Sequence, residues 1–327
     1  MQKTGPAGND SLCGAAQRGI PCVPSVIALG FFDGVHLGHR ALLTRTAALA
    51  AQNSLRSAAL TFDRSPGKDG KLLTTVADRE ELIRKRCGID EVVVLPFTDA
   101  LRRLPWDAFL ELLVREHGAV HLVCGWDYRF GYLGEGTPER LRDWCAAHGL
   151  GCDVIPPLRV DGVTVSATFL KSLIEAGDVE AAARYYGHPH LLSGLVQFGR
   201  RLGHTLGFPT ANLLPPPELV LPKDGVYAVR GTVELPRAAC GGSDTQTLIG
   251  VCNVGTRPTV DGHRRTVETW LCDFDGDLYG KKLTVEFHCF LREEQKFPSL
   301  EALREAIFRN RDQAQAYFAQ QKEEEPK

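Results

Sequence analysis

Two short stretches of the chain combine residue types at spacings suited to phosphate chemistry. The first is "GFFDGVHLGHR", Gly30 to Arg40. It sets Gly30, Asp33, Gly34, His36, Gly38 and His39 directly after the apolar run "SVIAL". Glycines let a phosphate approach the backbone closely. A helix starting here presents free N–H groups and the positive end of its dipole. Histidines at i and i+3 share one helix face, so His36 and His39 aim together at one phosphate. The string is neither the dinucleotide fingerprint G-x-G-x-x-G nor the P-loop G-x-x-x-x-G-K-[ST].

The second stretch is "GRRLGHTLGFPTANL", Gly199 to Leu213. Glycines recur at Gly199, Gly203 and Gly207, and Pro209-Thr210-Ala211-Asn212 follows. Backbone so rich in glycine wraps around phosphates. Thr210 and Asn212 offer neutral oxygens two residues apart, on one side of an extended chain. Such oxygens suit Mg²⁺, which shares its ligands with substrate phosphates. Farther on, "TVETWLCDFDGDLYG" places Glu268 mid-strand, on the face of Trp270 and Cys272. A carboxylate there is costly unless it has a partner or a task.

The elements that must position these groups follow from hydrophobic periodicity. From Ser25 to about residue 158, short apolar runs alternate with helical patterns, which predicts a doubly wound α/β domain with a parallel sheet. Thr137 reads as an N-cap with Pro138 at the first helical position, and Gly88 as a helix stop. "ATFLKSLIEAGDVEAAARYYG" reads as two short helices broken at Gly177. From about Leu192 strands dominate, which predicts a small antiparallel barrel. Asp275-Gly276 carries a hairpin signal between the last two strands. Ser299 reads as the N-cap of a final helix with Leu300, Leu303 and Ile307 on one face. The expected division is a leader over 1–24, a first domain over 25–188, a barrel domain over 189–320 and a frayed tail over 321–327.

Length and composition fit two globular domains: 327 residues, 43% hydrophobic and 24% charged. A formal net charge of -2 provides no polybasic field for nucleic acid or an acidic membrane. No run approaches the apolar length of a membrane span, and the first residues lack a secretory signal's apolar core. The ten cysteines include no C-x-x-C pair, and several fall inside predicted elements. They read as reduced thiols of a cytoplasmic protein rather than a disulfide or zinc framework.

"GFFDGVHLGHR" resembles the H-x-G-H signature of nucleotidyltransferases, and in full it resembles the FAD synthetase module of the prokaryotic bifunctional riboflavin kinase/FAD synthetase family. The resemblance implies that this turn, Phe31 included, binds ATP. His36 and His39 would then stabilise charge on its phosphates while AMP passes to FMN. "LVCGWDYRFG" resembles a family segment by the flavin and nucleotide pocket, through Asp127, Arg129 and Phe130. "SATFLK" is similar to a family ATP-phosphate segment, with Ser166 and Thr168 kept and Lys171 where the family has Arg. Lysine keeps the charge but loses the bidentate fork. "FDRSP", Phe62 to Pro66, departs from the family's F-x-P-H-P, with Arg64 as a candidate substitute.

The glycine-rich stretch with P-T-A-N closely resembles the riboflavin kinase module. This implies Mg²⁺ ligation by Thr210 and Asn212 and a general base at Glu268. It also implies ATP contacts at Gly199, Gly203, Gly207, Pro209 and Asn253, and a flavin contact at Arg292. The implied partners are ATP and the flavins riboflavin, FMN and FAD, with neither nucleic acid nor membrane. The two departures leave a kinase with a non-catalytic first domain as the second reading, and a flavin sensor without turnover as the third.

Overall fold

The computed structural model describes residues 23–67, 70–198, 207–236, 243–259 and 262–324. Gly199 and Gly203 lie outside the described residues, as do most of the expected leader and the last three residues.

The first half builds β1 (Ser25–Leu29), α1 (Leu37–Gln52), β2 (Arg56–Phe62), α2 (Val76–Cys87), β3 (Glu91–Leu95), α3 (Asp99–Arg102), α4 (Trp106–His117), β4 (Ala119–Gly125), α5 (Pro138–Ala147) and β5 (Gly151–Ile155). The five strands form one sheet in the order β3-β2-β1-β4-β5, every pair parallel. All five residues of β1 are buried, as a central strand covered on both faces requires. Ile27, Leu29, Leu60 and Leu122 share a core with Phe109, Leu110 and Leu113 of α4 and Leu141 and Cys145 of α5. Thr137 caps α5 by accepting from the Arg140 N–H at 3.3 Å, and Pro138 opens the helix, as read from the sequence. Gly88 takes φ 65° just past α2.

A small pair, β6 (Arg159–Val160) and β7 (Val163–Thr164), leads to α6 (Ala167–Ala176) and α7 (Val179–Tyr186), split at Gly177 with φ 82°. The antiparallel part follows: β8 (His190–Leu195), β9 (Ala211–Leu213), β10 (Gly225–Pro236), β11 (Ser243–Thr259), β12 (Gly262–Leu271), β13 (Lys282–Arg292) and α8 (Leu300–Glu324). The six strands run in the order β8-β13-β10-β11-β12-β9. The sheet curls until Gln197, just past β8, bridges Asn212 of β9 with a 2.9 Å backbone hydrogen bond. Val226, Ala228 and Val251 pack against Ala314 and Phe318 of α8. Burying a ring the size of Phe318 contributes about 1.5–3 kcal/mol.

Three expectations are corrected. Asp275-Gly276 does not close a hairpin, because β12 pairs with β11 and β9 while β13 pairs with β10 and β8. The segment after Leu271 instead carries the chain past two intervening strands. Leu300 is 53% exposed, and the buried face of α8 runs through Ala306, Asn310, Ala314 and Phe318. The helix continues to Glu324, into the segment expected to be frayed.

The chain forms two compact units. Of the described residues, one unit holds those up to Phe31 with His39–Pro66 and Glu80–Pro157; the other holds those of Phe32–Gly38, Gly67–Arg79 and from Leu158 on. Among the described residues no helix is long and apolar enough to cross a membrane. The seven described cysteines are all free thiols.

Candidate active site

In the curled sheet, strand register gathers the residues picked out by the sequence. Asn212 of β9 pairs with Glu268 of β12, Glu268 with Asn253 of β11, Asn253 with Val226 of β10, and Val226 with Arg292 of β13. Cross-strand partners share a face and stand about 5 Å apart. Four chemistry-bearing residues from four separate strands therefore lie on one rung.

A cavity of about 620 Å³ opens over this rung. Its wall includes Thr210, Asn253, Glu268, Trp270 and Arg292, with Leu303 and Ile307 of α8. A second cavity, of about 820 Å³, is lined by Pro209, Thr210, Ala211 and the 274–279 segment. Thr210 belongs to both linings. The "DFDGDLYG" string is thus a cavity wall rather than a hairpin turn.

Glu268 forms an ion pair with Arg257, and its side chain is 15% exposed. The Thr266 hydroxyl donates to Glu268 Oε1 at 3.5 Å. Asn253 Nδ2 donates to Glu294 Oε1 at 2.9 Å. Arg292 Nε donates to Asn310 Oδ1 at 3.0 Å, and its guanidinium lies 5.4 Å from the Phe297 ring centroid. Burial, with Arg309 adding repulsion, holds the Arg292 guanidinium below its ordinary pKa. Thr210 and Asn212, with Glu268 next on the rung, form a set of hard oxygens that fits Mg²⁺. Gly207 takes φ 85° just before the P-T-A-N segment.

The first motif is divided between the two compact units. Within the parallel-sheet unit, Gly30 and Phe31 leave β1, and Asp127, Arg129 and Phe130 follow β4. These strands are neighbours in register, Leu29 beside Cys124, and the strand order reverses between them. Ligands bind at such a switch point, outside the carboxyl ends of the strands. The Thr61 hydroxyl donates to the Phe31 carbonyl at 2.7 Å, fixing the exit from β1. Asp127 and Arg129 are exposed. Phe130 is only 6% exposed and packs on Phe109 and Tyr128, so it anchors this segment from the core side. His39 lies in the first turn of α1.

Within the other unit, the Asp33 carboxylate accepts from the backbone N–H groups of Leu73 and Thr74 at 2.9 and 3.0 Å, and from the Thr74 hydroxyl at 3.1 Å. The same hydroxyl accepts from the Gly34 N–H at 3.1 Å. Burial raises the Asp33 pKa, and these donors with the nearby Arg79 pull it back down. Asp33 therefore ties the turn to the 70–79 segment. Phe32 and Val35 are fully buried at φ 54° and 43°, in the left-handed region that a branched side chain avoids. Burial pushes the His36 imidazole down from 6.5 to about 4, so it is neutral near pH 7 and acts as a hydrogen-bonding group. Ser166 caps α6 by accepting from the Phe169 N–H at 3.3 Å. Thr168 is exposed, and Lys171 Nζ donates to the Lys71 carbonyl at 2.7 Å. Arg64 is exposed and pairs with Asp63 at 3.4 Å.

Sequence reasoning did not single out Arg257, Glu294 or Asn310, whose side chains contact the rung. An arginine inside the strand string "VGTRPT" was the only signal for the first of them.

The FAD synthetase family model matches residues 22–169, and the riboflavin kinase family model matches residues 186–318. Three curated relatives carry the same description, bifunctional riboflavin kinase/FMN adenylyltransferase. The Pseudomonas fluorescens protein is 37% identical over 289 residues, covering 86% of this chain and 89% of the relative. The Listeria monocytogenes protein is 31% identical over 305 residues, covering 91% and 93%. The Bacillus subtilis protein is 30% identical over 305 residues, covering 90% and 93%. A crystal structure described as a macrolide-efflux protein from Streptococcus pneumoniae superimposes with a TM-score of 0.77 at 28% identity, covering 92% of this chain and 96% of that one. Both modules, in this order and over nearly the whole chain, place it in the bacterial bifunctional riboflavin kinase/FMN adenylyltransferase family.

Proposed function

We infer that the family's two activities are divided by domain. Residues 189–320 phosphorylate riboflavin to FMN, and residues 25–188 adenylylate FMN to FAD. The observation that carries the first assignment is the single rung Asn212–Glu268–Asn253–Val226–Arg292 beneath the cavity.

In the kinase reaction Glu268 accepts the proton of the ribityl hydroxyl, within hydrogen-bond reach of a flavin over the rung. Arg257 orients that carboxylate. Arg292, held by Asn310 and stacked near Phe297, faces the flavin side of the same cavity. The backbone around Gly207 and Pro209 binds the ATP phosphates on the other side of Thr210. Thr210 and Asn212 would hold Mg²⁺, which when bound neutralises phosphate charge. Trp270, Leu303 and Ile307 exclude water from the flavin.

In the adenylyl transfer, the turn tied down by Asp33 presents the start of α1, and His36 donates a hydrogen bond as a neutral ring. Donors positioned before reaction are worth most where charge develops. His39, Ser166, Thr168 and Lys171 are assigned to ATP, and Asp127 and Arg129 to the flavin and nucleotide. Phe130 acts through its packing.

A chromatographic time course with riboflavin, Mg²⁺ and excess ATP tests the division. FMN should appear first and FAD second. Glu268→Gln should lose the first product yet convert supplied FMN to FAD. His36→Ala should do the reverse. Failure of Glu268→Gln to convert supplied FMN to FAD, or of His36→Ala to form FMN from riboflavin, with the fold intact by circular dichroism, would overturn the division.

A further inference from the structure

The segment "YYGHPH", Tyr185 to His190, joins α7 to β8 and plays no part in the assignments above. Its central ring, His188, is 95% buried and lies against two backbone carbonyls. Nδ1 is 2.7 Å from the Pro189 carbonyl, and Nε2 is 3.1 Å from the Gly34 carbonyl. A carbonyl oxygen only accepts, so both contacts are hydrogen bonds only when both ring nitrogens carry protons. Gly34 is the centre of the Asp33–Val35 turn that leads into the H-x-G-H motif, two residues before His36. Its N–H is held from the other direction by Thr74. Tyr186 completes the seat. Its ring lies 4.9 Å from that of His188, and a Cβ on Gly34 would meet its Cε1 at 2.6 Å.

We propose that His188 is a positioning residue for the FMN adenylyltransferase reaction: as a two-donor clamp on the Gly34 and Pro189 carbonyls it sets the peptide plane that aims His36. This rests on the reading of the H-x-G-H turn as the adenylyltransferase site. The strained turn explains the need. Phe32 and Val35 hold positive φ on either side of Gly34, so relaxation of the turn would move the His36 ring. Asp33 and Thr74 fix the turn's first half, and His188 fixes its Gly34 carbonyl.

The test uses the full chain, which reports on its own integrity through FMN formation in the barrel. His188→Gln keeps one donor and puts an acceptor against a carbonyl. It should lower the kcat of FAD formation from FMN at least tenfold, with the KM for FMN within twofold and riboflavin phosphorylation unchanged. His188→Arg, a planar cation with several donors, should restore kcat to within threefold of the parent. Wild-type FAD formation by His188→Gln would overturn the proposal. So would an equal loss of both activities, or a failure of His188→Arg to exceed His188→Gln. His36→Ala separates the underlying reading: if it forms FAD normally, the turn is not the adenylyltransferase site and both readings fall. If it is inactive while His188→Gln is normal, only the clamp falls.

Discussion

The residues assigned to the kinase reaction and those assigned to adenylyl transfer are positioned by different physics. Asn212, Glu268, Asn253 and Arg292 sit inside strands, and their spacing is set by backbone pairing repeated along the sheet. Shifting one strand by a residue would turn its side chains to the other face and expose its apolar set to water. The adenylyltransferase set instead occupies turns and helix starts beyond strand ends, held by individual contacts such as Asp33 to Leu73 and Thr74. A sheet tolerates the loss of one side chain without moving its neighbours. A turn held by a few hydrogen bonds does not. The kinase half should therefore fail through chemistry, and the adenylyltransferase half through geometry as well.

The most severe test of that contrast is Glu268→Gln. Removing a general base costs about 10²–10⁴-fold in rate, so FMN formation should fall by that factor while the melting temperature stays nearly constant. If the melting temperature drops by many degrees, Glu268 and its Arg257 partner are structural and the contrast breaks. His36→Ala comes next, with a loss of FAD formation of about 10²-fold or more, as for other donors to developing charge.

Matched glycine substitutions sharpen the comparison. Gly34→Ala puts a methyl group 2.6 Å from the buried Tyr186 ring at φ 76°, and should abolish FAD formation while FMN formation persists. Gly207 has φ 85° and no described atom within 4 Å of where a methyl group would sit, so Gly207→Ala carries only the left-handed penalty, about 1–2 kcal/mol. Thermal melts of the two variants should differ accordingly, and equal destabilisation would remove the distinction.

The last effect concerns acid. Burial, with His188 adding repulsion, holds His190 at about 3 and His36 at about 4, against 6.5 for the free ring. Both are neutral in the folded chain and take up protons on unfolding below pH 6.5. Their contribution to stability is complete above pH 6.5 and is lost as the pH falls toward 4 and then 3. For His36 the loss is on the order of 3 kcal/mol. Melting temperatures measured from pH 7.5 down to 4.5 should decline, and the decline should be shallower for His36→Phe.

Much of this was legible in the sequence, and the exceptions share a cause. The strand-turn-helix context of His36, the P-T-A-N string and the lone carboxylate Glu268 are local patterns, and local patterns survive into the fold. The rung is not local: nothing in the strings shows that Asn212 will face Glu268, because that follows from β9 docking on the outer side of β12. The same docking defeats the Asp275-Gly276 hairpin signal, since β12 already has partners on both sides. Asp33 reads as a phosphate-site residue until its acceptors are filled by Leu73 and Thr74, forty positions away. Phe130 reads as a pocket aromatic until Phe109 packs against it.

Thr210 lining both cavities has a stereochemical consequence. If ATP occupies one side of that residue and riboflavin the other, as proposed, donor and acceptor oxygens face each other across a single side chain, and the phosphoryl group crosses in one in-line displacement. One displacement inverts configuration at phosphorus. A γ-thiophosphate made chiral with oxygen isotopes should accordingly yield thio-FMN of the opposite hand, whereas retention would require the group to have rested on the protein in between.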